Sequence, residues 1–447
     1  MTVTDSETLA RRGEDLPVDA VPLQEDLPAL VARYGSPLYV YELGKATAAV
    51  ASLSASLPKP SALYYSLKAN PHPRLARTMR AVGCRAEISS EGELAVALEA
   101  GFDPADCLYT GPGKTADEIA AALDAGVLRF SVESEGDHGR VARTAADRGK
   151  TAECLLRVNA DDARGTSGLR MTGKPSQFGI DSAMLTAAPE RFAARPGARP
   201  VGLHFFALSN ARSPEDLLTS LRSCIVEAAR VHRETGLPLE IVDLGGGFAA
   251  PYAAEGGLPD YTALREPLEE ALDKHLPGWR DGAPRIAFES GRHLVGGAGR
   301  LVCTVGDVKE SRGHSYVVVD TGIHHLGGLA GLGRLLPLNA SPTQLGTDGG
   351  VGPQPLVSPV ALVGPLCTPA DVLTRNTTLA DVTPGSILSF PNVGAYGLTA
   401  SLLGFLSRPV AAEVVLDGGT PVDASRLEIR RVPLAPLPDQ PWQEAIK

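Results

Sequence analysis

The chain has 447 residues, with 42 Lys+Arg against 52 Asp+Glu and a formal charge of −10. That acidic balance argues against a nucleic-acid protein, and no apolar run approaches the roughly 18 residues a membrane-spanning helix needs. With 43% hydrophobic and 21% charged residues, it reads as a soluble globular chain. The polar, acidic start MTVTDSETLARRGEDL is unlike a secretory signal. Cys84, Cys107, Cys154, Cys224, Cys303 and Cys367 are scattered without a CxxC pair, as expected of reduced thiols in a cytoplasm.

In chain order, an acidic, proline-containing segment leads to the apolar stretch Pro37-Leu38-Tyr39-Val40-Tyr41. Short β-like runs follow at 62–67, 85–90, 107–111, 129–133, 154–159, 201–207, 239–245 and 285–290. Between most of them the apolar spacing predicts helices, for example over 73–82, 91–100, 116–125, 217–235 and 264–275. Thr115 with Glu118 has the spacing of a capping box, and Gly101, Gly126 and Gly236 stand where helices should stop. Eight strands alternating with helices over ~240 residues is the count of a (β/α)8 TIM barrel, with a doubly wound open sheet as the rival. Beyond 295 the pattern changes to strand-like runs at 301–308, 316–320, 357–363, 387–390, 410–416 and 426–432, the mark of a β-rich second domain. Residues 339–355 read as a long loop by composition. The expected organisation is an N-terminal segment (1–44) packing with the β domain, the barrel (45–295), a C-terminal β-rich domain (296–433) and a proline-rich tail (434–447).

In such a barrel the chemistry gathers at the C-terminal ends of the strands. Those ends carry Lys68, the stretch His204-Phe205-Phe206-Ala207-Leu208-Ser209, the triplet Gly245-Gly246-Gly247, and Glu289 with Arg292. Each is commonplace alone: a solvated lysine, a turn, a local ion pair. Together they point to pyridoxal 5′-phosphate. Glycines let backbone N–H groups approach a phosphate, a lysine can form a Schiff base, and a carboxylate can hold a protonated pyridine nitrogen.

With these residues in view, the sequence resembles the fold-type III pyridoxal-phosphate-dependent decarboxylases, the group of diaminopimelate and ornithine decarboxylases. The likeness runs from about Tyr39 to about Val432. Tyr65-Ser66-Leu67-Lys68-Ala69-Asn70 resembles the lysine motif, Gly245-Gly246-Gly247 the phosphate loop, and Glu289-Ser290-Gly291-Arg292 the Glu-Pro-Gly-Arg motif with serine for proline. Ser89-Ser90-Glu91-Gly92-Glu93-Leu94 and Gly111-Pro112-Gly113-Lys114-Thr115 match further family segments. Gly364-Pro365-Leu366-Cys367-Thr368-Pro369-Ala370-Asp371 resembles the cysteine motif and Gly394-Ala395-Tyr396-Gly397 the tyrosine motif. The resemblance implies an alanine racemase-like barrel with Lys68 as cofactor lysine and Cys367 as a catalytic proton donor reaching a neighbouring subunit. It further implies cofactor contacts from His204, Phe206, Ser209, Gly245, Gly246, Gly247, Glu289 and Tyr396, and substrate contacts from Arg292 and Thr368. A homodimer with shared active sites follows, with no metal, nucleic acid or membrane as partner.

The chain departs from the family where His-x-Gly-Ser is expected, for it reads Phe206-Ala207-Leu208-Ser209. Phe206 can stack on a ring but offers no hydrogen bond, and Leu208 replaces a glycine. His204 could lie near the ring or be a satisfied core histidine. Thr368 stands where diaminopimelate decarboxylases carry an acid that reads the distal ammonium. Their arginine-bearing segment is replaced by Thr321-Gly322-Ile323-His324-His325-Leu326-Gly327-Gly328, in which the adjacent histidines read as a loop pair. Phe405-Leu406 suits a less polar substrate or tether, or core packing. With Gly173-Lys174-Pro175-Ser176-Gln177-Phe178-Gly179, these details resemble the specialised-biosynthesis branch. The expected activity is decarboxylation of an amino acid or amino-acid conjugate. Racemisation or elimination on the same scaffold, and a non-catalytic homologue, are the alternatives.

Overall fold

The computed structural model describes residues 26–160, 169–170, 176–327, 339–345 and 359–432. Eight parallel strands form a closed ring: β1 (Ala62–Ser66), β2 (Arg85–Ile88), β3 (Cys107–Tyr109), β4 (Arg129–Val132), β5 (Ala152–Asn159), β6 (Ala198–His204), β7 (Ile241–Asp243) and β8 (Arg285–Ser290). Pairing follows chain order and β8 returns to β1, so the sheet has no edge and the barrel replaces the open-sheet alternative. Near-continuous apolar runs such as Cys154-Leu155-Leu156 suit strands buried on both faces.

The outer layer holds α1 (Pro73–Ala81), α2 (Glu91–Glu99), α3 (Ala116–Asp124), α4 (Glu135–Ala146), α5 (Ser182–Ala187), α6 (Pro214–Thr235) and α7 (Arg265–His275). Serine side chains at positions 90, 134 and 213 accept N–H groups at the starts of α2, α4 and α6. Thr115 and Glu118 form the capping box of α3, and Gly236 ends α6 in the left-handed region. Helix α4 is not among the examples named from the spacing. Gly136 and Gly139 weaken its local signal, and buried Val141, Ala142 and Ala145 hold it against the barrel. The helix Leu43–Ser56 precedes β1 and packs beside α1, filling the gap after β8.

A second sheet contains β9 (Gly299–Ser311), β10 (His314–Val319), β11 (Val360–Val363), β12 (Val372–Thr377), β13 (Ile387–Phe390), β14 (Ala412–Asp417) and β15 (Thr420–Arg426). The N-terminal strand Leu38–Glu42 lies between β9 and β14, antiparallel to the first and parallel to the second. The strand predicted over 426–432 is displaced. Gly418 and Gly419, both at positive φ, make a tight turn, so pairing starts at once with Asp417 opposite Thr420 and ends at Arg426. The alternating Leu427, Ile429 and Val432 beyond it are exposed. Of the predicted loop 339–355, residues 339–345 are described, and Thr343–Gln344 pair with β13. Residues 346–355, the first 25 residues, Gly173–Pro175, Gly328 and the tail 434–447 lie outside the described residues.

The two layers meet at the loop after β1. Asn70 Nδ2 donates to the Gly394 carbonyl at 2.9 Å, and the Tyr396 N–H donates to the Ala69 carbonyl at 2.7 Å. Tyr65 Oη closes the same loop by donating to the Asn70 carbonyl at 2.6 Å. These bonds fix Lys68 between barrel and sheet.

Candidate active site

A cavity of about 450 Å³ opens at the C-terminal ends of the barrel strands. Lys68 enters it from the single turn Leu67–Ala69 that follows β1. Its Nζ lies 2.9 and 3.0 Å from the two oxygens of Glu87, at the end of β2, and the Thr110 hydroxyl donates to the same carboxylate. Burial works against the ammonium, but the Glu87 and Glu289 carboxylates outweigh it and raise the Lys68 pKa. Burial likewise pushes Glu87 upward; Lys68, Ser66 and Thr110 overcome that and hold it below the usual glutamate range.

Opposite this ion pair, Glu289 is 1% exposed and its Oε1 has no hydrogen-bond partner among the described residues. Burial first, then the Glu87 and Asp243 carboxylates, push its carboxyl well above the ordinary range. Asp243 accepts the Gly245 N–H at 2.9 Å, and burial pushes its pKa up to about 7. His204 lies near both in the barrel interior, with Nδ1 2.7 Å from Ser131 Oγ and Nε2 3.3 Å from Glu289 Oε1. Burial, then the charge of Arg157, holds its ring well below the usual histidine pKa.

Phe206 forms one wall. Lys68 Nζ stands 5.5 Å and Arg157 Cζ 5.7 Å from its ring centre, and Arg157 also faces Phe178 at 5.1 Å. A narrower recess continues past Ser209, Gly246, Gly247, Ser290, Gly291, Arg292 and Tyr396. Glycine is required there. A Cβ on Gly245 would stand 2.0 Å from the Phe205 carbonyl oxygen, and one on Gly246 would stand 2.6 Å from that of Glu289. The Arg292 guanidinium lies 4.6 Å above the Tyr396 ring.

The donors fit pyridoxal phosphate. Close-approaching glycine backbone, serine hydroxyls, Arg292 and Tyr396 suit a phosphate at one end. A buried carboxylate with an unpartnered oxygen suits a protonated pyridine nitrogen at the other, and a lysine stands between them.

Of the sequence-predicted residues, Lys68, His204, Phe206, Ser209, Glu289, Arg292 and Tyr396 line the cavity, and Gly246 and Gly247 line its recess. Gly245 shapes the turn at φ +71°. Leu208 does not obstruct Ser209: it is buried away from the cavity, and its backbone pairs with Arg170. Cys367 and Thr368 lie in the connection after β11, Cys367 exposed, and neither lines the cavity. His324 and His325 form a buried turn with ring centres 3.8 Å apart, and Leu406 is 47% exposed rather than packed in the core.

Glu87, Thr110, Ser131, Arg157 and Asp243 contribute to the site without having been assigned to it from sequence. In the sequence Glu87, Ser131, Arg157 and Asp243 show only as polar groups inside otherwise apolar strands, which are costly unless they face one another. Which of them face one another depends on the closure of the ring.

The comparisons with known proteins give the family. Residues 43–296 match the model of the family described as pyridoxal-dependent decarboxylase, pyridoxal binding domain. The chain is 29% identical to the L-glutamyl-[BtrI acyl-carrier protein] decarboxylase of Niallia circulans over 89% of this chain and 92% of that protein. It is 32% identical to a diaminopimelate decarboxylase of Neisseria meningitidis over 88% of this chain and 93% of that one. Among solved structures, AQ1208 from Aquifex aeolicus superposes with a TM-score of 0.75 at 26% identity, covering 90% of each chain.

Proposed function

Given that this chain belongs to the pyridoxal-dependent decarboxylases, we propose that it decarboxylates an amino acid carried as a conjugate, in specialised biosynthesis rather than lysine synthesis. The observation that carries this reading is the chemistry of the two segments that would face the distal end of a substrate. Thr368 occupies the place of an acid, and residues 321–327 contain no arginine, only the buried histidine turn. A free substrate with a second ammonium and carboxylate finds no matching charge in them. A relative that acts on a glutamyl group held by an acyl-carrier protein supports the same reading.

When bound, pyridoxal phosphate supplies the electron sink for the pair left by the departing carbon dioxide. The protein's part is positioning and proton transfer. Lys68 would hold the cofactor through its Nζ, and Glu87, 2.9 Å from that atom, would stabilise it whenever it carries a proton. Glu289 would partner the pyridine nitrogen, Phe206 would pack against the ring, and the glycine loop with Ser209, Arg292 and Tyr396 would hold the phosphate. Cys367 or Lys68 would return a proton to the α-carbon. Because Cys367 is exposed and outside its own chain's cavity, a second copy of the chain would bring it to the site. The six cysteines, all free, suit a cytoplasmic location. Among the described residues no helix is long and apolar enough to cross a membrane.

The test is carbon dioxide release from diaminopimelate, free glutamate and carrier-tethered amino acids, compared as kcat/KM. The tethered class should exceed the free ones by at least about a hundredfold; equal or greater turnover of diaminopimelate would overturn the substrate reading. Phe206 in the place of a histidine favours one second reading, a racemase, which would exchange the α-hydrogen without releasing carbon dioxide.

A further inference from the structure

Phe206 puts no hydrogen-bonding atom on the wall beside Glu289, so the orientation of that carboxylate must come from elsewhere. Its Oε1 is buried and unpartnered, and the nearest polar side-chain atom recorded to it is His204 Nε2 at 3.3 Å, itself buried and without another partner. The pair is long and imperfectly aligned for a hydrogen bond, and a small rotation of the carboxylate closes it. The far side of the imidazole is fixed: Ser131 Oγ, fully buried, lies 2.7 Å from Nδ1.

That contact determines where the ring carries its proton. Among the described residues Ser131 Oγ has no hydrogen-bond partner except His204 Nδ1. The acceptor recorded for its hydrogen is Nδ1, and with that hydrogen given to Nδ1 a neutral ring carries its single proton on Nε2. The residues come from three strands of the ring, β4, β6 and β8, so the relay crosses the barrel interior.

We propose that His204 is a positioning residue: with its tautomer set by Ser131, its Nε2–H turns the Glu289 carboxylate toward the pyridine-nitrogen end of the cofactor site. The inference rests on the reading of Glu289 as the partner of that nitrogen. It gives His204, which also lines the cavity, a role through Glu289, and it leaves Phe206 to supply the face. Arg157, Lys68 and Lys114 are the charges that disfavour a second proton on the ring, while the carboxyls of Asp243, on the adjacent β7, and Glu289, on β8, stand close to it.

The test uses the full chain and needs no substrate, so it can fail independently of the substrate reading. In the unloaded protein with 15N-labelled histidine, the resonance lost in His204→Gln should be that of a neutral ring protonated at Nε2. An Nδ1–H or doubly protonated ring would overturn the proposal. Glutamine places an N–H near the position of Nε2, whereas leucine keeps bulk and removes the donor. His204→Leu should weaken pyridoxal phosphate binding by about tenfold to a hundredfold and shift the absorbance of the bound cofactor. His204→Gln should stay within about fivefold of the wild type with an unshifted spectrum. Equal loss in both variants, or none in His204→Leu, would reduce His204 to packing. If the leucine variant does not fold, the tautomer and the glutamine variant still decide.

Discussion

The side chain closest to the reactive lysine is one that no motif named. Glu87 holds Lys68 as an ammonium, and an ammonium is not a nucleophile until it loses its proton. The sign of the Lys68 shift gives a prediction. Its pKa is raised because the two glutamates outweigh burial, so removing one charge lets burial gain and lowers it. Glu87→Gln should therefore capture pyridoxal phosphate faster at pH 7, by at least about tenfold in a stopped-flow absorbance trace, with the difference shrinking as pH rises. An unchanged rate would mean that the ion pair does not govern the lysine. Lys68 and Glu289 were legible in the sequence because each sits in a recognisable string. Glu87 and Ser131 were not, since Ala86-Glu87-Ile88 and Phe130-Ser131-Val132 look like ordinary strand interiors with one polar residue. Only the ring, which brings β2 beside β1 and Ser131 opposite His204, gives those residues partners.

At the scale of elements, the barrel strands were readable because buried parallel strands are short apolar runs and their helices carry capping signals. Strand β12 was missed because Thr374, Arg375, Asn376 and Thr377 break its apolar pattern, and pairing with β11 supplies what propensity does not. The glycine loop is an element whose sequence and geometry agree. Gly246→Ala brings a methyl against the Glu289 carbonyl, which belongs to the barrel wall and cannot move aside. It should weaken pyridoxal phosphate binding more than about tenfold in equilibrium dialysis, and wild-type affinity would show that the loop tolerates a side chain. The sheet offers a pH-dependent prediction. Glu413 on β14 accepts the Tyr41 hydroxyl at 2.9 Å, and burial raises its pKa to about 7. The folded chain thus keeps a proton that the unfolded chain has released, and stability falls as pH rises from the ordinary glutamate value to about 7. Glu413→Gln keeps the acceptor without the charge. It should be more stable than the wild type by about 1–3 kcal/mol at pH 8 and nearly equal at pH 4 in denaturant melts. A destabilised variant at pH 8 would contradict that sign.

At the scale of the molecule, one chain provides the lysine, the carboxylates and the phosphate recess, while Cys367 faces solvent outside the cavity. A site completed by a second copy predicts complementation. Lys68→Ala and Cys367→Ala, each inactive alone, should recover about a quarter of wild-type activity when mixed and reassembled, since half the dimers are mixed and each holds one intact site. No recovery would confine the chemistry to one chain. The architecture as a whole was legible from the rhythm of strands and helices. The N-terminal segment was expected to pack with the β domain, but nothing local to Leu38–Glu42 gives its place between β9 and β14. The most direct measurement on the central claim is mass spectrometry of the pyridoxal-phosphate-loaded protein acting in heavy water on a carrier-tethered amino acid. Loss of carbon dioxide with one deuterium gained at the α-carbon is the predicted result. Deuterium gained with the carboxylate retained would make this chain a racemase on a decarboxylase scaffold.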